Sequence, residues 1–187
     1  ASTNAKMDQS FLRFIDANQS PTLHPLEKSE YRVNEYRGER QSWRSGISSY
    51  RAVEYKQLYP GINLKVYGKG STVEYDWVVA AGADPNRIRF EYKNVKESRI
   101  NWAGNIVVDS GHSKLVHKKP YAYQMIDGKK QEVPVRFQTI LPNQYGFKLG
   151  KYKRSYPLII DPVVLSYSTY LGGQTNPGTD SAWSRDQ

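Results

Sequence analysis

The stretch "TVEYDWVV", Thr72 to Val79, constrains the fold more than any other. Val73, Tyr75, Trp77 and Val79 alternate with Thr72, Glu74, Asp76 and Val78. Successive side chains of a strand point to opposite faces, so this alternation predicts a half-buried strand with its aromatic face inward. In the preceding "INLKVYGKGST", Gly68 and Gly70 are expected to supply the positive backbone angles of a hairpin turn. "GADPN" closes the strand with a turn built on Asp84-Pro85-Asn86.

The same pattern recurs at short spacing. "RIRFEY" sets Ile88, Phe90 and Tyr92 on one face. "WAGNIVVDSGHSKLVHKKP" reads as turn, strand, turn, strand, and "YAYQMIDGKKQEVPVRFQTIL" as a hairpin around Asp127-Gly128. "GFKLGKYKRSYPLIIDP" adds two short strands around Gly150. Between Tyr31 and Pro162 this predicts about ten to twelve short strands and no amphipathic helix. The fold class is all-β, an antiparallel β-sandwich-like module. Residues 1–30, with Pro21 and Pro25, read as an irregular N-terminal segment in which "QSFLRFIDAN" forms a short helix or strand. The β module is expected over 31–163, and 164–187 follows it.

Composition limits what can hold such a fold together. Hydrophobic residues make up only 38% of the 187, but aromatics reach 13%, with 15 Tyr and 4 Trp. Large rings bury much area each, so most of them are needed as core. Trp77 points inward by alternation. Trp102, beside "AGN", falls in a turn and is the ring expected to be exposed. With Tyr121 and Tyr123 it makes the candidate ligand-binding set, a stacking surface for sugars or bases. There is no cysteine, which excludes disulfides and thiol catalysis but does not fix the compartment. No run of 18 apolar residues exists, so no transmembrane helix is predicted, and "ASTNAKMDQS" lacks a signal-peptide pattern. The formal net charge is +9, from 27 Lys+Arg against 18 Asp+Glu. The cations are scattered apart from Lys118-Lys119, Lys129-Lys130 and Lys153-Arg154. That distribution predicts a solvated basic surface rather than a nucleic-acid patch.

Catalytic constellations are sparse. His24, His112 and His117 are the three histidines; two on one strand five residues apart face opposite ways, which argues against a metal pair. No zinc spacing, nucleophile elbow or phosphate loop occurs. Glu74 and Asp76 share a strand face at a separation of roughly 6.5–7 Å, a spacing compatible with glycoside hydrolysis or a shared calcium. The plainer reading makes them the solvated face of the strand, paired with cross-strand Lys or Arg. Asp161 reads as a strand-ending residue. No catalytic residue, metal or cofactor is therefore assigned, and the chain is not expected to be an enzyme.

Four stretches occur in a characteristic order: "WRSGISSYRAVEYKQLYPGINLKVYG" (43–68), "EYDWVVAAGADPNRI" (74–88), "KPYAYQMIDGK" (119–129) and "GKYKRSYPLIIDPVVLSYSTYLGG" (150–173). Together they resemble the module found on the N-terminal side of bacterial SBBP proteins, large exported proteins carrying beta-propeller repeats. Asn63 and Lys153 stand where that family often has Asp. The resemblance covers roughly 31–173 and implies a non-catalytic extracellular or cell-surface module, structural or interactive, preceding a beta-propeller. It implies other domains of the same polypeptide as partners. "LSYSTYLGG" looks like the opening strand of a first propeller repeat, continued by "TDSAW", so the chain reads as a piece of a longer protein. Residues after about 177 are expected to be disordered, and "VVLSYSTYL" to pair with the module's own sheet or a neighbouring chain. A carbohydrate-binding module built on Trp102, with surface polysaccharide as partner, is the alternative, ahead of a glycoside hydrolase.

Overall fold

The structure, a computed structural model, describes residues 10–69, 72–111, 113–162 and 164–167, with side chains left out at 72 and 164–167. Its strands are β1 (Phe11–Phe14), β2 (Thr22–Glu35), β3 (Arg44–Tyr59), β4 (Ile62–Lys69), β5 (Thr72–Val79), β6 (Arg89–Lys93), β7 (Glu97–Ile100) and β8 (Ile106–Asp109). They continue with β9 (Lys114–His117), β10 (Tyr121–Ile126), β11 (Lys129–Glu132), β12 (Val135–Leu141), β13 (Gln144–Leu149), β14 (Leu158–Asp161) and β15 (Val164–Tyr167). Short 3-10 turns at Arg40–Ser42 and Pro85–Arg87 are the helical elements among the described residues.

All pairings are antiparallel and form three sheets. The largest runs β11-β10-β14-β5-β4-β3-β2; the others run β1-β6-β13-β12 and β15-β9-β8-β7. The inner face of the large sheet contributes Leu64, Tyr75, Trp77, Val79, Leu158 and Ile160 to one continuous core. Phe90, Phe137, Tyr145 and Phe147 face it from the second sheet, and Ile106 and Val108 from the third. Aromatic rings do much of this packing, as the composition requires: Phe14 meets Trp77 edge-on at 5.1 Å between centroids, and Phe90 lies within 6.2 Å of Tyr92, Phe137, Tyr145 and Phe147.

The β-sandwich-like class holds, and β3 to β14 are twelve strands lying wholly between Tyr31 and Pro162, within the expected number; β1, β2 and β15 begin or lie outside that span. Several details are corrected. Residues 1–30 are not irregular throughout: β1 pairs residue for residue with β6, and most of β2 pairs with β3. Pro25 obscured β2, but β2 is the outer strand of its sheet, where a missing N–H is tolerated. Gly68 lies inside β4 opposite Val73 and is not a turn residue; Gly70 lies outside the described residues. Val73 is 62% exposed although it shares a face with Tyr75 and Trp77, because the core ends before that end of β5.

Turn chemistry behaves as read elsewhere. Asp84 accepts from the Asn86 backbone N–H at 3.1 Å, and Asp127 and Gly128 both take positive φ in the β10–β11 hairpin. Val164–Tyr167 adds to the module's own third sheet by pairing with β9, the first of the two pairings expected for it. The predictions about Gly172-Gly173, Thr179–Trp183 and disorder after 177 lie outside the described residues.

Two polar ties explain stretches whose residue choice is otherwise opaque. Gln124 in "AYQ" is buried: its Nε2 lies 2.9 Å from Lys153 O and 3.0 Å from Tyr156 O, and its Oε1 accepts from Lys153 N at 2.9 Å. One amide thus holds the 150–157 loop against β10. Gly61 in "YPGI" has φ +72, and a Cβ there would stand 2.8 Å from Ala83 Cβ. Both the backbone angle and the close approach require glycine.

Candidate functional site

The Asn101–Gly104 turn joins β7 to β8 and carries Trp102. Asn101 Oδ1 accepts from Ala103 N at 3.1 Å and Asn105 N at 3.0 Å, while Gly104 N donates to Asn101 O at 2.9 Å. Gly104 takes φ +81 to close the turn. Trp102 is 99% exposed, as its turn position implied. Beside it runs an open groove of about 480 Å³, whose other wall is the outermost strand β12, with Arg136, Phe137 and Gln138, and Lys148 from β13. Its lining contains no carboxylate.

Tyr121 and Tyr123 are not part of that lining. They stand two apart on β10 in the large sheet, their rings tilted at 5.9 Å. Lys130 of β11 lies over both, 3.9 Å from the Tyr123 centroid and 4.8 Å from Tyr121. Lys130 thus stacks as a cation on both rings. The expected three-residue set is therefore divided between separate sheets.

The outer face of the large sheet is less solvated than alternation alone suggests. Glu74 is only 6% exposed and pairs with Lys69 at 3.4 Å; Asp76 accepts from Tyr67 Oη at 3.2 Å. Burial, then the neighbouring Asp161 carboxylate, pushes Asp76 up to about 6. Asp161 ends β14 as expected, and it too is raised by burial and by Glu74. Burial and neighbouring negative charge both disfavour the ionised form of these carboxyls, which is why both shifts point upward. Among the described residues no group of three or more His, Asp or Glu is placed to hold a metal ion.

His117 is fully buried where the three sheets meet. Tyr75 Oη lies 2.8 Å from its Nε2 and Tyr92 Oη 2.7 Å from its Nδ1. A neutral imidazole has one donor and one acceptor nitrogen, so one tyrosine donates to the ring and the other accepts from it. Burial lowers His117 to about 3, keeping it neutral. No approach to solvent exists at a residue with 0% exposure, so the arrangement suits structure rather than proton transfer to a ligand. His24 lies exposed on β2, opposite Glu54, and His112 is outside the described residues.

A second surface escaped the sequence reading. Only residues 52–59 of β3 pair with β4; its N-terminal half pairs with β2 alone. Residues 28–51 thus form a two-stranded arm beyond the sheet, with no buried residue. Tyr31 (79% exposed), Val33, Tyr36, Trp43, Ile47 and Tyr50 lie open on it. At its tip Tyr36 meets Trp43 edge-on at 5.1 Å, and the Arg40 guanidinium sits 5.9 Å from the Trp43 ring. The aromatic signal is present in the sequence, but the composition assigns most rings to the core, and sequence does not say where a third strand stops.

The geometry defines an antiparallel β-sandwich-like module with an exposed arm and an aromatic-basic groove beside Trp102. The chain belongs to the family described as Domain of unknown function (DUF7948), whose model matches residues 1–163. No curated protein and no solved structure matches it. Among the described residues no helix is long and apolar enough to cross a membrane.

Proposed function

We propose that this chain is a non-catalytic extracellular interaction module of a large bacterial secreted or cell-surface protein, docking through its β2–β3 arm onto another domain of the same polypeptide. The observation that carries this reading is the arm itself. Six large apolar side chains stand open on an element that adds nothing to the core, and solvent-exposed apolar surface of that kind marks contact sites. Its tip combines Tyr, Trp and Arg, the residue types that dominate binding energy at protein interfaces. An isolated two-stranded ribbon is marginal in water, so a partner would also complete its stabilisation. The resemblance to the module that precedes beta-propellers supports an exported setting and a propeller as that neighbouring domain.

Site-specific photocrosslinking from position 36 in the full-length polypeptide tests this. Crosslinks to residues outside 1–163 are expected, and a Trp43→Ser/Tyr31→Ser variant should lose them while unfolding at the same temperature. Crosslinks confined to 1–163 would overturn the docking role. Polysaccharide cleavage that disappears in Glu74→Ala/Asp76→Ala would replace the non-catalytic reading with a hydrolase.

A further inference from the structure

Trp102 stands almost wholly in water, yet its turn is not loose. Four hydrogen bonds brace it: the two accepted by Asn101 Oδ1, Gly104 N to Asn101 O, and Asn101 N to Asn105 O at 2.9 Å. The indole is therefore presented on a fixed base, which reduces the ordering cost that a ligand would otherwise meet.

The facing wall has its own unmet demand. Arg136 and Lys148 are exact cross-strand partners in the β12–β13 pairing and both are exposed. Like charges in that position repel. Neither forms an ion pair among the described residues, and no carboxylate lines the groove. Gln138, two residues along β12 and so on the same face as Arg136, adds an amide with both a donor and an acceptor.

We infer that the groove between the Asn101–Gly104 turn and β12 binds an acidic saccharide, with a sugar ring on the Trp102 indole and its oxyanion on Arg136 and Lys148. A pyranose offers an apolar C–H face to the indole and hydroxyl edges to Gln138. A carboxylate or sulfate matches the planar guanidinium fork and neutralises two mutually repelling cations at once. Because β12 is the outermost strand of its sheet, a polymer can pass along the open groove without threading. Single-stranded nucleic acid fits less well, since it uses successive exposed aromatics along a basic track, and of the two rings lining this groove Phe137 is buried and only Trp102 is exposed. The site is independent of the β2–β3 arm, so either can fail without the other.

Calorimetric titration of the chain with tetragalacturonate, a sulfated carrageenan tetrasaccharide, neutral maltotetraose and a short oligothymidylate tests the inference. Binding to at least one acidic saccharide is expected, the arm that binds identifying carboxylate or sulfate as the recognised group. Trp102→Ala, and separately Arg136→Gln, should each weaken it about tenfold or more, with unchanged melting temperature, while Lys28→Gln on the arm leaves it intact. No binding to either acidic saccharide overturns the site. So does equal affinity for maltotetraose, which would make recognition independent of the anion, or preferential binding of oligothymidylate. Equal losses in Arg136→Gln and Lys28→Gln would reduce it to general charge attraction and overturn it as well.

Discussion

His117 shows how much a single side chain can contribute when three sheets converge on it. Its two ring nitrogens satisfy a tyrosine from the large sheet and one from the second sheet, while the histidine itself belongs to the third. His117→Phe keeps the ring volume but strands two buried hydroxyls, and should destabilise the fold by about 2–4 kcal/mol in urea unfolding. Adding Tyr75→Phe and Tyr92→Phe removes the stranded groups, so the triple variant should recover part of that loss; a triple variant less stable than the single one would show that the relay contributes nothing by its hydrogen bonds. The pH dependence follows from the lowered pKa. Between about 3 and 6.5 the unfolded chain binds a proton at His117 that the folded chain does not, so stability falls as pH drops through that window. The full effect is on the order of 3–5 kcal/mol. At Gly61 the argument is steric: Gly61→Ala meets a positive φ and Ala83 together, and should lower stability by about 1–3 kcal/mol.

At the scale of the element, β5 joins two opposing tendencies. Its inner face is core, and its outer face crowds Glu74 and Asp76 beside Asp161 of β14. Asp76 has its pKa raised from 3.8 to about 6, so the folded state binds the extra proton and stability falls as pH rises through that interval. This runs against the His117 effect. Asp76→Asn retains an acceptor for Tyr67 and removes the charge, and should stabilise the protein at pH 7 by about 1 kcal/mol once solvent screening of this half-buried group is allowed for. Its denaturation profile between pH 4 and 6 should then slope more steeply upward with pH than that of the unaltered protein. The β2–β3 arm is the converse case, an element with no share in the core. Replacing residues 29–49 by a two-residue Asn-Gly turn should change the unfolding free energy by no more than about 1 kcal/mol, because no buried side chain is removed. A loss of several kcal/mol would show that the arm is packed in solution and not free to dock.

For the whole molecule, the three sheets are joined through one aromatic core rather than divided into separate units. Cooperative unfolding is the consequence: near-ultraviolet circular dichroism and Trp fluorescence should report one coincident transition for the described module. Strand identity was legible because alternation and turn chemistry are local. Tyr75 and Trp77 face inward, Ile88, Phe90 and Tyr92 share a buried face, and Asp127-Gly128 makes its hairpin, all as their spacing required.

What the residues did not disclose depends on partners far away in sequence. "FLRF" became a strand only because β6, almost 80 residues later, offers it an edge. Tyr31, Tyr36 and Trp43 are as aromatic as any core residue, and only the point where β4 stops pairing leaves them in water. Arg136 and Lys148 are unremarkable apart; the register of β12 on β13 sets them opposite each other beside Trp102. Tyr121 and Tyr123 looked open until the β10–β11 hairpin laid Lys130 across them. The sequence by itself determined the all-β class, the inward faces of β5 and β6 and the turns at Asp84–Asn86 and Asp127-Gly128, since these follow from backbone sterics and a two-residue period. Only the tertiary structure decided which faces are covered, because burial and charge pairing are properties of neighbours that the chain must fold to meet.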